Sequence, residues 1–560
     1  MPSTPMERRK SYDKRLEALK SERSSFMNYW RELSDYHLAH RGRFLMSDTN
    51  KGHKRNTKQL NNTSRLAGRT LASGMMAGIT SPARPWFRLG SGDPDMNEYG
   101  PVKNWLMSVE RLMREIYNRS NLYNSLHAVY HELGVFGTAS MGIFADFENV
   151  VRFKPYTIGS YMIANGPTDR VDTWAREYQI TVGQCVKQFG KDSVSMSTLQ
   201  AWNNGNTEAK VDIVHFIEPN DDRDHMSPLA KDKKVRSVYY EKSDRSGKFL
   251  RESGFDEFPN MSPRWEVTGE DVYATACPGM DGLGDTKGLQ VAETKKYKAI
   301  DRMVDPKLQA PSTLRNLIHC DMPDDTIWVD NPGMNGVSSI YQINPPIQYL
   351  IQDIDKTEQR ISRTFYEDLF LMLANSNRSQ ITAREVAERH EEKLLMLGPV
   401  LERLHSELLD PLIDRTFNIA QDAGILPPPP EELQERELKV EYISVLAQAQ
   451  RLVAVSGVEQ LAGYVGQLSA IWPEARHKFN PSESIDDFAD ALGTSPDLIR
   501  SDEEYQRAVD EERQAAAAAQ QAASMPQMVD SAKTLSETDM SGDNALSDIM
   551  TRMGGQAGGQ

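Results

Sequence analysis

Gly282–Pro311 reads GLGDTKGLQVAETKKYKAIDRMVDPKLQAP, and the chain changes character across it. Leu289 to Val304 reads as a polar-faced helix that ends at Asp305-Pro306, where proline forbids continuation. Lys287, Lys295, Lys296, Lys298, Arg302 and Lys307 load this stretch with bases. An extended segment punctuated by Pro, Gly and Asn follows as far as Pro346. Ile347, Leu350, Ile351, Ile354, Ile361, Phe365 and Leu369 then mark another long helix. A short polar break, Asn375-Ser376-Asn377-Arg378-Ser379, separates it from a third. In that one Leu394, Leu397, Leu401, Leu404 and Leu408 alternate at spacings of three and four. Pro399 and Pro411 interrupt the pattern and predict a bent helix.

On the N-terminal side the pattern is mixed α+β. Tyr12 to His40 reads as an amphipathic helix, with Leu16, Leu19, Phe26, Trp30 and Leu33 on its apolar face. Asn61 to Thr80 reads as a helix rich in small residues that stops at Ser81-Pro82-Ala83-Arg84-Pro85-Trp86-Phe87. Trp86 and Phe87 are expected to anchor its exit in a core. Pro101 to Leu133 is a third helical stretch. Strands are expected over Ser140 to Phe147, around 151–153, in the 170s, over 209–218 and over 235–240. On the C-terminal side Pro427 to Pro430 is a stiff break. Helix is expected from about Ser444 to Ile471 and again after Ser501, where QAAAAAQQAA has high helix propensity. From Met525 the Ser/Asp/Gly-rich tail reads as disordered.

The chain has 560 residues, 39% of them hydrophobic and 26% charged, with a net charge of -15. That is enough apolar sequence for a packed core. It is the wrong sign for a protein that grips DNA over its whole surface, since cationic contacts to phosphate supply most non-specific affinity. DNA contact, if present, has to be slippery. No apolar run is long enough to suggest a membrane span, and Met1 to Lys20 lacks the apolar core of a signal peptide. Cys185, Cys277 and Cys320 lie far apart with no CxxC pair, which argues against a zinc site or a disulfide framework and fits a reducing compartment.

Enzyme motifs are missing. Gly190-Lys191 and Gly247-Lys248 lack the other glycine and the Ser/Thr of a phosphate-binding loop. His131-Glu132 and His390-Glu391 lack the second histidine of a zinc protease. Gly137-Thr138-Ala139-Ser140-Met141-Gly142 misses the nucleophile-elbow spacing by one residue. Asp321, Asp324, Asp325 and Asp330 cluster as two-metal nucleases require, but in a turn-rich stretch with no accompanying Glu-x-Lys. No cofactor, metal or catalytic residue is expected.

Four blocks taken together resemble the portal (head-to-tail connecting) proteins of short-tailed, podovirus-type bacteriophages. They are Leu71–Leu89 (LASGMMAGITSPARPWFRL); Val151–Gly190 with PYTIGSYMIAN, RVDTWAREYQIT and QFG; Gly282–Pro311; and Val440–Leu452 (VEYISVLAQAQRL). They occur in the family's order across about residues 10 to 520. Tyr273-Ala274-Thr275-Ala276-Cys277-Pro278 departs from the family's block.

The resemblance implies a predominantly helical α+β portal fold assembled as a ring of twelve subunits. Residues 1–283 would form the wing, 284–304 and 347–372 the two stem helices, and 305–346 the clip. The tunnel loop would span 373–379, a bent wing helix and connector 380–440, the crown helices 441–524, and a disordered tail 525–560. Asn375, Ser376, Asn377, Arg378 and Ser379 would touch double-stranded DNA in the channel. Lys287, Lys295, Lys296, Lys298 and Arg302 would line a basic stem face, meeting DNA or a neighbour's acids. Asp321, Asp324, Asp325 and Asp330 fall in the clip. The implied partners are a terminase motor, tail adaptor proteins, and capsid and scaffolding proteins, with no membrane. The implied place is the capsid portal vertex of the virion, reached from the host cytoplasm during assembly. The competing reading is a metal-dependent virion enzyme acting on DNA through the 321–330 carboxylates.

Overall fold

A computed structural model of the chain describes residues 4–44, 57–91, 93, 96–97, 99–305, 307–312, 327–330, 337–339, 347–375, 397–433, 438–442, 461–480, 484–485 and 505–516. The chain divides into two units, Met1–Gln460 and Leu461–Gln560.

The first unit opens with α1, Pro5–His37. It begins seven residues before the expected Tyr12 because Thr4 and Glu7 form a capping box, with Pro5 preset at the first helical position. The two ends of α1 serve different cores. Tyr12, Leu16 and Leu19 pack on a sheet, while Trp30 and Leu33 enter the main core. α2, Thr63–Gly78, carries the small residues of the first block.

The expected single helix over 101–133 is two, α3 (Gly100–Arg119) and α4 (Leu122–Phe136). Asn121 between them uses its amide as a surrogate strand. Its Nδ2 donates to Phe153 O at 2.7 Å, and its Oδ1 accepts from Phe153 N at 2.9 Å.

Among the described residues the strands form four sheets. β1 (Phe87–Ser91) pairs antiparallel with β13 (Leu438–Tyr442), Phe87 opposite Tyr442 and Leu89 opposite Val440. Two of the quoted blocks, far apart in sequence, therefore meet directly. Trp86 and Phe87 are fully buried beside Tyr117, each worth about 1.5–3 kcal/mol of apolar burial.

β2 (Ser140–Asp146) lies between β3 (Val150–Tyr156) and β9 (Asn260–Met261). A five-stranded antiparallel sheet runs β4 (Tyr161–Asn165), β5 (Val171–Thr181), β6 (Lys210–Pro219), β7 (Val235–Glu241) and β8 (Arg251–Phe255). α1 covers one of its faces. α5 (Val182–Phe189) and α6 (Met196–Asn203) cover one end of the other. A short helix, α7 (Pro278–Asp281), leads into α8 (Leu283–Val304).

The expected long helix over 347–372 is broken. α9 (Ile347–Thr364) and α10 (Glu367–Asn375) are separated at Phe365-Tyr366, where Tyr366 takes φ +54°. A bulky residue adopts the left-handed region only where packing outweighs the steric cost. Here Phe365 is fully buried against His37 and Leu369 is fully buried behind it. The apolar spacing ran through this break and concealed it.

The interrupted third helix appears as helix 397–404, a π turn at His405–Leu409 and α12 (Asp410–Asp422), with helix 397–404 taken as α11. Pro411 has no N–H to return to an earlier carbonyl, so the ladder is reset before it. The turn presents Glu407 to Arg264, whose guanidinium pairs at 2.6 Å and also donates to Asn165 Oδ1, Val272 O and Asp169 O. Cys185 and Cys277 are buried free thiols. In the second unit, residues 461–471 (α13) and 505–516 (α14) are helical. Among the described residues no helix is long and apolar enough to cross a membrane.

α2 packs between α4 and α10, and glycine sets how closely. A Cβ on Gly74 would lie 2.2 Å from Phe370 Cβ, whereas one on Gly288 in α8 meets nothing within 4 Å. Gly74→Ala is expected to cost about 1–3 kcal/mol by overpacking. Gly288→Ala should gain about 0.5–1 kcal/mol of helix stability. Thermal midpoints of the full chain that shift in opposite directions confirm the contact, and equal shifts refute it.

Candidate functional site

α8 and α9 form an antiparallel hairpin. Asp285, near the start of α8, pairs with Arg360, near the end of α9, at 3.1 Å. Asn61 Nδ2 donates to Glu293 at 3.2 Å and to Glu358 at 2.6 Å, so one amide bridges both helices. The connection between them holds a small sheet in which β10 (Leu308–Pro311) lies between β11 (Ile327–Val329) and β12 (Ser338–Ser339).

The hairpin has two unlike halves. In the inner half Leu283, Thr286, Leu289, Gln290 and Glu293 are buried, as are Ile354, Thr357 and Ile361. In the outer half Tyr297 is 58% exposed, Val304 80% and Tyr349 73%, with Ile300, Met303 and Ile351 also exposed. Large apolar side chains gathered at one end of an element mark a surface built to be covered.

A polar clasp holds the inner half. Gln290 Oε1 accepts from Leu60 N at 2.7 Å and Asn61 N at 2.9 Å, and its Nε2 donates to Asn61 O at 3.0 Å. Asn61 Oδ1 in turn accepts from Thr63 N at 2.9 Å at the start of α2. The helix-start signal of Asn before Thr was readable at that site, although the cap residue itself, Asn62, makes no side-chain bond and Asn61 supplies it instead. The reach to Gln290, Glu293 and Glu358 was not, because nothing local encodes it.

The expected basic face divides in two. Lys287 pairs with Glu32 of α1 and lies 5.8 Å from the Tyr36 ring, and Lys296 pairs with Glu293 at 2.5 Å. Lys295, Lys298 and Arg302 are exposed and have no ion-pair partner among the described residues. Asp330 is exposed, follows β11 and accepts from the Ser312 hydroxyl. Asp321, Asp324 and Asp325 lie outside the described residues. Asn375 ends α10, and Ser376, Asn377, Arg378 and Ser379 lie outside the described residues.

Residues 9–499 match the family model for the bacteriophage head to tail connecting protein. The portal protein of Salmonella phage epsilon15 is 47% identical over 542 residues, covering 97% of this chain and 98% of that one. The probable portal protein of Bordetella phage BPP-1 is 44% identical over 538 residues, covering 96% and 97%. A solved structure of the neck of an empty GTA particle, computed with C6 symmetry, aligns with a TM-score of 0.35 at 11% identity. That alignment covers 81% of this chain and 96% of that one.

Gln290→Leu keeps the volume and removes the clasp. Two part-buried backbone donors then lose their acceptor, at no more than about 1–3 kcal/mol. Amide exchange at Leu60 and Asn61 is expected to accelerate while amides in the five-stranded sheet keep their rates. Unchanged exchange at both positions would show that the clasp is dispensable.

Proposed function

The chain belongs to the bacteriophage head to tail connecting proteins, the portal proteins of phage heads, and we propose that twelve copies close into a ring at the capsid portal vertex. In this reading residues 1–283 form the wing and 284–304 with 347–372 the stem. Residues 305–346 form the clip and 373–379 the tunnel loop. Residues 380–440 form the bent wing helix and connector, 441–524 the crown and 525–560 a disordered tail. The role is structural rather than catalytic: a channel for packaging and ejecting DNA.

The observation that carries the proposal is the uncovered outer half of the α8/α9 hairpin. Its exposed apolar residues and the unpaired Lys295, Lys298 and Arg302 are what a neighbouring copy would cover and neutralise. Head-to-tail contacts between identical copies close into a ring when the rotation per step divides the circle. In such a ring the chain's net charge of -15 repels phosphate, within a screening length of about 8 Å. Duplex DNA then slides, with Asn375 to Ser379 touching it at the constriction. A terminase motor and later the tail adaptors would dock on the clip, and capsid and scaffolding proteins on the wing, during assembly in the host cytoplasm.

Negative-stain imaging with light scattering of the chain expressed alone is expected to show rings of near-twelvefold symmetry with a central hole. Tyr297→Glu with Val304→Glu should shift the population to monomer without loss of helicity. A wild-type chain that stays monomeric or dimeric at every concentration would overturn the ring. Replacing 375–379 by a short glycine linker should leave rings intact and impair packaging or retention of DNA. Normal infectivity of such a phage would remove the loop from the channel.

A further inference from the structure

The five-stranded sheet has one face under α1, while the other is only partly covered. α5 and α6 close one end of that face over Val211 and Ile213. At the other end β3 brings Tyr156 to within 4.6 Å of the Trp174 ring. Between these covers a row of side chains runs straight across four strands. Arg176 is opposite His215, His215 opposite Tyr239, and Tyr239 opposite Arg251.

His215 lies flat on Tyr239, with ring centroids 3.8 Å apart and planes 10° apart. Arg251 sits 5.3 Å from the Tyr239 ring, and Arg176 sits 4.5 Å from the Tyr178 ring. Lys154, on the exposed side of β3, lies 5.7 Å from Tyr156.

The row is electropositive and unneutralised. Among the described residues Lys154, Arg176 and Arg251 have no carboxylate partner, and Arg176 Nε is buried with no hydrogen-bond acceptor. Glu241 shares this face but is already occupied, accepting from Ser195 N at 2.7 Å, Ser195 Oγ at 2.6 Å and Thr198 Oγ1 at 2.7 Å. Asp172 stands at the far end, bonded to Thr173 Oγ1. His215 is held neutral, well below the usual imidazole range, by burial first and then by Arg176, Lys154 and Arg251.

The chemistry selects the ligand. A guanidinium stacked on a ring keeps its N–H edge free, and that edge matches a carboxylate in bidentate geometry. Tyr239 already has His215 against it and Arg251 near it, and Arg176 lies by Tyr178, so open ring faces for stacking nucleobases are lacking. Arg176 and Arg251 stand three strand spacings apart, about 14 Å. An extended peptide covers that distance in about four residues. In a chain of net charge -15 an uncompensated basic row is an exception to the general surface.

We propose that this face of the sheet docks an extended acidic segment of a partner protein, with carboxylates about four residues apart engaging Arg176 and Arg251. Lys154 adds a third cation beside the path.

The test uses the full chain and a fluorescein-labelled hexaglutamate peptide at low salt, read by anisotropy, with hexaglutamine as the neutral control. Hexaglutamate is expected to bind and hexaglutamine is not. Lys154→Glu with Arg251→Glu changes two exposed residues, and an unchanged thermal midpoint establishes that the variant folds. It should weaken binding about tenfold or more. Lys10→Glu with Lys14→Glu, two exposed residues of α1 on the far side of the sheet, should leave binding unchanged. Absence of binding overturns the proposal, as does equal loss in both variants. So does a single-stranded oligonucleotide that displaces the peptide at lower concentration than unlabelled hexaglutamate, which would assign the face to nucleic acid.

Discussion

Phe370 fills a notch that Gly74 leaves in α2, and the course of everything beyond it depends on that contact. α10 holds Phe370. It is joined to α9 through the left-handed Tyr366, and α9 carries α8 as its hairpin partner. On the opposite side of α2, Leu71 packs where Gly134 of α4 has no side chain. α2 is thus a thin spacer between two helices, and its small residues are a steric requirement: a methyl group at position 74 would push α10, and the hairpin with it, off the core. A second tie acts further along the chain. Arg264 is 3% exposed on its side chain and pairs with Glu407 in the π turn. Removing one member of so buried a pair leaves a stranded charge and costs about 3–5 kcal/mol. It would also free the loops at Asn165 and Val272 that the same guanidinium holds.

The parts that were legible are those where periodicity and burial agree. The α8 and α9 helices, the strands β2, β3, β5, β6 and β7 and the core role of Trp86 and Phe87 follow from local patterns that the tertiary structure does not override, whereas β4 and β8 were not read from the sequence. The misreadings have local causes too. At Tyr366 the apolar spacing continues through a break that packing of Phe365 imposes. At Ser120-Asn121 a helical pattern hides a side chain recruited by β3. The β1/β13 pairing joins segments separated by most of the first unit, and no local pattern encodes a partner at that distance. The hairpin site was visible as bases on a helix. The clasp of Gln290 and Asn61 was not, since an amide's partners are set by the fold. Residues 376–379 and Asp321, Asp324 and Asp325 lie outside the described residues.

Charge is sorted within the chain more sharply than its total suggests. Lys287 and Lys296 are neutralised inside the subunit, by Glu32 and Glu293. Among the described residues Lys295, Lys298 and Arg302 on the outer hairpin, and Lys154, Arg176 and Arg251 on the sheet, are not. A surface ion pair contributes little to stability, so leaving the five exposed cations unpaired costs the fold almost nothing, whereas Arg176, whose Nε is buried without an acceptor, carries a desolvation cost. It leaves two separate patches that differ in chemistry. The hairpin cations stand among exposed aliphatic and aromatic groups, as at an interface that buries area. The sheet cations stand on rings already engaged, as at a site that reads charge and spacing.

The two halves of the hairpin also differ in what holds them. The inner half has a buried apolar seam, the Asp285–Arg360 pair and the clasp. The outer half has solvent around Tyr297, Val304 and Tyr349, and an element with few buried contacts opens at low free-energy cost. On the proposed ring a neighbour supplies the missing cover, so the order of the outer hairpin becomes a function of subunit concentration. Folding of the inner half then sets the direction of the hairpin, and assembly completes it. Identical subunits with preset hairpins need only small adjustments to close a ring. Had the whole hairpin been stable alone, its apolar end would already be buried and there would be less for a neighbour to gain by docking.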